Sequence, residues 1–277
     1  MAISTRDDCQ KSSFGAVSES AEGFEPRSAG QIRLTRTVKR TLDMVIAAVL
    51  LVAVLPLLVL VVIAIELESP GTPFYRARRV GYRGRPLDVL KFRKMRTHAQ
   101  GLPLTIEGDS RLTRVGEIMA RTRIDELPQL WNVLVGEMSL VGPRPEDPRF
   151  VNLHAADYER ILEVRPGITG WSQLAFAAES RILDPTDPVG HYVDSILPAK
   201  VRLDCKYAER MRVRRDLAVM LWTASMMLGR IEVAVHRESG RLGRRRRRRP
   251  LRIEPPMLVA ATLGADHEPT MAESMVA

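Results

Sequence analysis

Residues 44–65 read MVIAAVLLVAVLPLLVLVVIAI, a run without a charge and with a single proline, Pro56. At 1.5 Å per residue it reaches roughly 33 Å as a straight helix, against about 30 Å of bilayer hydrocarbon. Pro56 sits near the middle, where it removes one backbone hydrogen bond and kinks the helix. Upstream lie Arg33, Arg36, Lys39 and Arg40; downstream lie Arg76, Arg78, Arg79, Arg83 and Arg85. Positive charge at membrane ends favours the cytoplasmic side. Two basic flanks suit a re-entrant hairpin, and the length suits a single-pass helix. A buried core helix fits less well, because so long a run without charge is rare outside membranes.

The remaining composition narrows the function classes. A chain of 277 residues holds one sizeable domain or two small ones. The formal charge is +9, but Arg244–Arg249 alone carry six positive charges. The basic excess therefore sits largely in one run rather than on the folded body. Cys9 and Cys205 match no metal or disulfide spacing, which suits a reducing, cytoplasmic setting. Residues 1–34 read as a disordered tail without a secretion signal, and residues 238–277 as a basic disordered tail. Between them the expected units are a membrane helix over 35–70 and a soluble domain over 71–237. The segment Asp216–Leu228 is too short to span and reads as an interfacial or a core helix, with Trp222 near the head groups in the first case.

After the membrane segment, Phe74–Gly81 and Leu87–Met95 read as two short strands around a turn containing Gly81 and Gly84. The cations here suit anionic head groups or a diphosphate, and Lys91, Arg93 and Lys94 are the better phosphate candidates beside apolar Leu90, Phe92 and Met95. The turn Asp109–Gly116 leads into a helix expected to run to about Arg123, with Ser110 or Thr113 as its cap.

Asp125-Glu126-Leu127-Pro128-Gln129-Leu130-Trp131-Asn132-Val133 follows. On a helix the adjacent acids point about 100° apart, so different jobs suit them better than one shared ligand. A helix start beside the positive dipole end also accounts for two acids before Pro128. Downstream, Arg144 stands between Pro143 and Pro145, whose fixed φ stiffens the loop for bidentate phosphate recognition. Val164-Arg165-Pro166-Gly167-Ile168-Thr169-Gly170 repeats the pairing of stiff backbone and arginine.

Taken together, these motifs resemble the bacterial sugar transferases, monotopic phosphoglycosyl transferases acting on polyprenol phosphate. The likeness spans about Lys39 to Leu228. It rests on Lys39-Arg40-Thr41-Leu42-Asp43, Pro56, Arg79-Val80-Gly81, Lys91-Phe92-Arg93-Lys94-Met95, the Asp125–Val133 run, Gly142-Pro143-Arg144-Pro145 and Arg165–Gly170. It implies a small cytosolic α/β domain with an N-terminal kinked re-entrant membrane helix and interfacial helices, on the cytoplasmic face of the cell membrane. It implies transfer of a sugar-1-phosphate from a UDP-sugar to polyprenol phosphate with release of UMP, the first membrane step of surface polysaccharide assembly. Asp125 then matches the nucleophile that becomes esterified, Glu126 the partner acid at Mg²⁺, and Lys91 and Arg144 the phosphate-binding cations. Arg93, Arg121 and Arg165 are further substrate-binding candidates, and anionic lipid is an expected partner without specific nucleic acid.

Three positions depart from the family pattern. Leu55 stands where a serine usually precedes the kink proline, Lys94 where threonine usually follows the Lys-Phe-Arg motif, and Ala120 where an arginine is usual. Arg121 and Arg123 are the candidate stand-ins for the last. A membrane-anchored basic adaptor without catalysis is the rival reading; it has no use for Asp125 or the Pro143–Pro145 loop.

Overall fold

The structure, a computed structural model, describes residues 29–97, 99, 101, 104–229, 233–235 and 242–244. The expected tails lie almost wholly outside the described residues. Helix α1 runs from Ala29 to Glu68 as one element through Pro56. Within its residues 34–68 the most apolar 18-residue window has a mean hydropathy of 3.4, yet only 6% of that window is buried. That low burial sets aside the core-helix alternative. Val52 and Leu60 stay 74% and 63% exposed, in a row of apolar side chains that water tolerates poorly.

The other face of α1 is seated on the body. Near its start, Lys39 Nζ lies 2.6 Å from Asp216 Oδ2 and 3.6 Å from Asp43 Oδ2. Asp43 in turn accepts from the Ser139 hydroxyl at 2.6 Å. All four groups are buried, and removing one partner of such a pair costs about 3–5 kcal/mol, because the other charge is left stranded. Near its end, Val61 and Ile65 pack with Phe92 and Met119.

Strands β1 (Phe74–Val80) and β2 (Pro86–Phe92) form the expected hairpin, antiparallel with Phe74 opposite Phe92 and Val80 opposite Pro86. The Phe74 and Phe92 rings stack at 5.3 Å. Helix α2 (Arg114–Thr122) starts at Thr113, whose side chain accepts from Gly116 N. Thr113 rather than Ser110 is therefore the cap. Gly116 is required by close approach: a Cβ there would stand 1.9 Å from Lys94 O. A 3₁₀ turn (Ile124–Glu126) and helix α3 (Gln129–Val135) follow.

Strand β3 (Ser139–Val141) pairs in parallel with β4 (Gly167–Thr169), the crossover passing through α4 (Pro148–Leu153) and α5 (Ala155–Ile161). Next come α6 (Trp171–Ala175), α7 (Glu179–Ile182) and α8 (Pro188–His191). The last runs on through a π-helical stretch, Tyr192–Ile196, into α9 (Leu197–Glu209). Helix α10 (Val213–Gly229) and a second antiparallel hairpin, β5 (Val233–Val235) with β6 (Leu242–Arg244), complete the described chain. α10 exposes Leu217 and Leu221 but buries Val219, and Trp222 packs against the core, so the helix is both surface and core element. The result is a mixed helix–strand body in which helices dominate and the sheets are small. Cys205 is buried in the core formed by α4, α5 and α9.

Candidate active site

The Asp125–Glu126 pair is delivered by a reversal in the chain. Arg123 ends α2 in the left-handed region, φ 58° and ψ 18°, a conformation that costs a non-glycine residue on the order of 1 kcal/mol. The reversal turns the next three residues into the body. Asp125 and Glu126 are only 4% and 8% exposed, so they are not solvated helix-start decoration. Neither caps α3, whose cap position is Pro128.

The cations arrive from separate elements. Lys91, on β2, places Nζ 3.0 Å from Glu126 Oε1, and Arg144 places Nη2 3.2 Å from the same oxygen. Arg123 Nη1 stands 3.8 Å from Glu126 Oε2, and Lys94 Nζ 3.8 Å from Asp125 Oδ2. Residues about twenty to fifty positions apart thus form one cluster with more positive than negative charge. Such a cluster suits a diphosphate, which brings further negative charge.

The two acids are pushed in opposite directions. Burial alone would raise the Glu126 carboxyl, but Lys91, Arg144 and Arg123 outweigh it and hold the group well below the usual carboxylate range. Burial raises the Asp125 carboxyl above its ordinary value, with Lys94 opposing and Glu126 adding repulsion. Burial also lowers Lys91, partly offset by Glu126, whereas Glu126 holds the Arg144 guanidinium firmly charged. Paired groups driven apart this way divide roles: Glu126 is a committed anion, while Asp125 accepts no hydrogen bond among those of the described residues and keeps its oxygens for other work.

The Arg144 loop is held from three sides. Gly142 N donates to Thr169 O at 2.9 Å and Gly167 N to Pro143 O at 2.8 Å, which extends the β3–β4 pairing into the loop. A Cβ at Gly142 would lie 2.4 Å from Arg165 O, so only glycine admits this contact. From below, Asp204 on α9 lies beside the Arg144 backbone and Ser172, whose hydroxyl donates to Gln173 Oε1 at 3.1 Å. Burial pushes the Asp204 carboxyl up to about 7, and its Oδ1 has no partner among the described residues.

Not every expected substrate contact gathers here. Of the two stand-ins for Ala120, Arg123 reaches Glu126, whereas Arg121 pairs with Glu117 across an exposed turn of α2. Arg93 grips the exit of α1, donating to the Ser69 and Pro70 carbonyls and to Thr97 Oγ1. Arg165 donates to Gly136 O at 2.9 Å and lies over the Tyr82 ring. Together with Arg40, which donates to Val133 O and Leu134 O, it satisfies the C-terminal end of α3. Asn132 had no assigned role in the sequence; its side chain bonds Leu90 N, Asp88 O and Glu137, tying α3 to β2 and setting the distance between Lys91 and the acids. An open cleft of about 530 Å³ beside Arg36, Tyr82, Arg83 and Glu159 shares no residue with this cluster. Charge and burial, rather than cavity volume, mark the site.

Residues 34–230 match the family model described as bacterial sugar transferase. A UDP-glucose:undecaprenyl-phosphate glucose-1-phosphate transferase of Caulobacter vibrioides is 38% identical over 208 residues, covering 73% of this chain and 72% of its own length. An undecaprenyl-phosphate glucose phosphotransferase of Komagataeibacter xylinus is 46% identical over 194 residues, 67% of this chain and 35% of that protein. A UDP-N-acetylgalactosamine-undecaprenyl-phosphate N-acetylgalactosaminephosphotransferase of Aeromonas hydrophila is 40% identical over 152 residues, 52% of this chain and 36% of its own. The chain therefore spans little more than a third of the last two.

Proposed function

The chain belongs to the bacterial sugar transferase family, as a phosphoglycosyl transferase, and from that premise we propose that it moves a sugar-1-phosphate from a UDP-sugar to a polyprenol phosphate of undecaprenyl type. The observation that carries the chemistry is the divided acid pair inside a cationic cluster. A carboxylate oxygen of Asp125 attacks the β-phosphorus of the donor. The bond from that phosphorus to the bridging oxygen breaks, and UMP leaves with the oxygen. A phosphate oxygen of the lipid then attacks the same phosphorus and displaces the Asp125 carboxylate. Lys91, Arg144 and Arg123 hold the diphosphate oxygens, and Glu126 keeps those cations aligned before the donor arrives.

The residues fit a Mg²⁺ ion that keeps most of its water. Glu126 Oε1 has cations at 3.0 and 3.2 Å, whereas Glu126 Oε2 and Asp125 Oδ2 face theirs only at 3.8 Å, so Asp125 and Glu126 Oε2 are the oxygens that would hold it. When bound, such an ion would neutralise charge on the donor's phosphates.

The membrane helix is proposed to be re-entrant, with the body on the cytoplasmic face. Lys39 and Arg40 bind the body before the apolar run, and the Glu68 carboxylate accepts from Arg114 N and Val115 N after it. The 28 residue steps from Arg40 to Glu68 would extend about 42 Å as a straight helix. A spanning helix would then carry one of these polar contacts across the bilayer, away from a body that touches both. Cysteines placed at Leu34 and at Tyr75 should therefore react with an impermeant maleimide only from the cytoplasmic side. Labelling of the two from opposite sides would overturn the re-entrant reading.

The activity is tested directly by mixing the purified protein in nanodiscs with polyprenol phosphate, Mg²⁺ and a panel of UDP-sugars. UMP release that requires the lipid acceptor for sustained turnover is expected with at least one of glucose, galactose and their N-acetyl forms. No UMP with any of them would refute the proposal.

A further inference from the structure

Arg144 is the phosphate ligand in the reading above, and the inference here rests on that assignment. Its guanidinium has more than one acid to choose from. Glu126 is in contact at 3.2 Å, and Glu179 and Glu146 also lie close enough to act on its charge without pairing with it among the described residues. A cation surrounded by three carboxylates would be poorly disposed to release toward a substrate phosphate unless two of them were otherwise engaged.

Both are engaged, through a single buried lysine. Lys200 on α9 has a side chain only 5% exposed. Its Nζ pairs with Glu179 Oε2, lies 3.2 Å from the Tyr192 hydroxyl and stands 4.7 Å above the Tyr192 ring. The Tyr192 hydroxyl donates to Glu146 Oε2 at 2.7 Å. One ammonium thus answers Glu179 directly and Glu146 through a tyrosine. The Lys200 charge also acts on the Asp204 carboxyl, beside the Arg144 backbone. A lysine is seldom this buried without such a set of partners.

We propose that Lys200 is a positioning residue for the transferase reaction: by occupying Glu179 and, through Tyr192, Glu146, it keeps the Arg144 guanidinium directed at Glu126 and the donor diphosphate. Without it, Glu179 loses its ion-pair partner and the Tyr192–Glu146 hydrogen bond loses the ammonium beside it, while Arg144 stays within electrostatic reach of both acids. Capture of Arg144 by Glu179 withdraws one charge-assisted contact from the donor while leaving Asp125 untouched. The cost falls on donor binding rather than on the chemical step.

The test compares Lys200→Met, Glu179→Gln and the double variant in nanodiscs, reading KM for the UDP-sugar and kcat separately. Lys200→Met should raise KM by about tenfold or more, the loss expected for one charge-assisted phosphate contact, with kcat within about threefold. The double variant should recover most of that loss, because the competing carboxylate is gone. Glu179→Gln alone should leave KM unchanged or lower it. An unchanged KM in Lys200→Met, a double variant no better than the single one, or a raised KM in Glu179→Gln overturns the proposal. Should Lys200→Met not fold, Tyr192→Phe removes only the link to Glu146; a KM raised about threefold supports the inference, and an unchanged one overturns it. Failure of the underlying reading looks different: an inactive wild-type protein, or an Arg144→Ala variant with normal KM, would remove its premise.

Discussion

Asp125→Asn is expected to abolish turnover, by about 10⁴-fold or more, and to abolish the covalent adduct with it. The substitution keeps the size of a side chain that is almost fully buried, and it leaves Glu126 with its three cations. What it removes is the oxygen anion that attacks phosphorus. Intact mass of the wild-type protein, quenched after mixing with donor and no acceptor, should rise by one phosphosugar. The variant should show no increase, and an adduct on the variant would place the nucleophile elsewhere. Titration of the metal-free protein supplies a second check. The carboxyl of Asp125 sits above its ordinary value through burial. Its titration, followed by side-chain NMR without Mg²⁺, should fall above the ordinary aspartate value of about 3.9. A value at or below that would contradict the environment described here.

Lys91→Met should lower kcat/KM by about 10²–10³-fold, comparable to the loss of one preorganised donor to a developing anion. Two effects combine. The donor diphosphate loses a buried ammonium, and Glu126 loses the partner at 3.0 Å that does most to hold its carboxyl down. Adding Glu126→Gln separates them. If Lys91 binds phosphate, the double variant stays as impaired as Lys91→Met or worse. Recovery in the double variant would reduce Lys91 to a counter-ion for Glu126.

Much of this was legible without coordinates because it is local. An uncharged run of membrane length, a strand–turn–strand pattern around Gly81 and Gly84, and a proline-clamped arginine are properties of neighbouring residues. The acids of the site could be named for the same reason. Their division of labour could not. Adjacent carboxylates have the same intrinsic chemistry, and what separates Asp125 from Glu126 is the convergence of Lys91, Arg144 and Arg123 on one of them. The choice between Arg121 and Arg123 was equally hidden. Two residues apart on a continuing helix they would face nearly opposite sides, about 200° apart, and the left-handed turn at Arg123 redirects only the second.

Buried polar groups were the least legible. In the sequence Lys200 and Asp204 carried no reading, Lys39 read as a flanking cation and motif residue, and Asp216 as the start of a helix. Their importance comes from partners such as Asp216 for Lys39, which is 177 positions away. The chain by itself determined the membrane segment, the hairpin and the inventory of groups able to handle phosphate, since periodicity and composition act over a few residues. Only the tertiary structure decided which cation meets which acid and which carboxylate stays uncommitted. Coulomb and desolvation energies depend on distance and burial in space, and neither follows from separation along the chain.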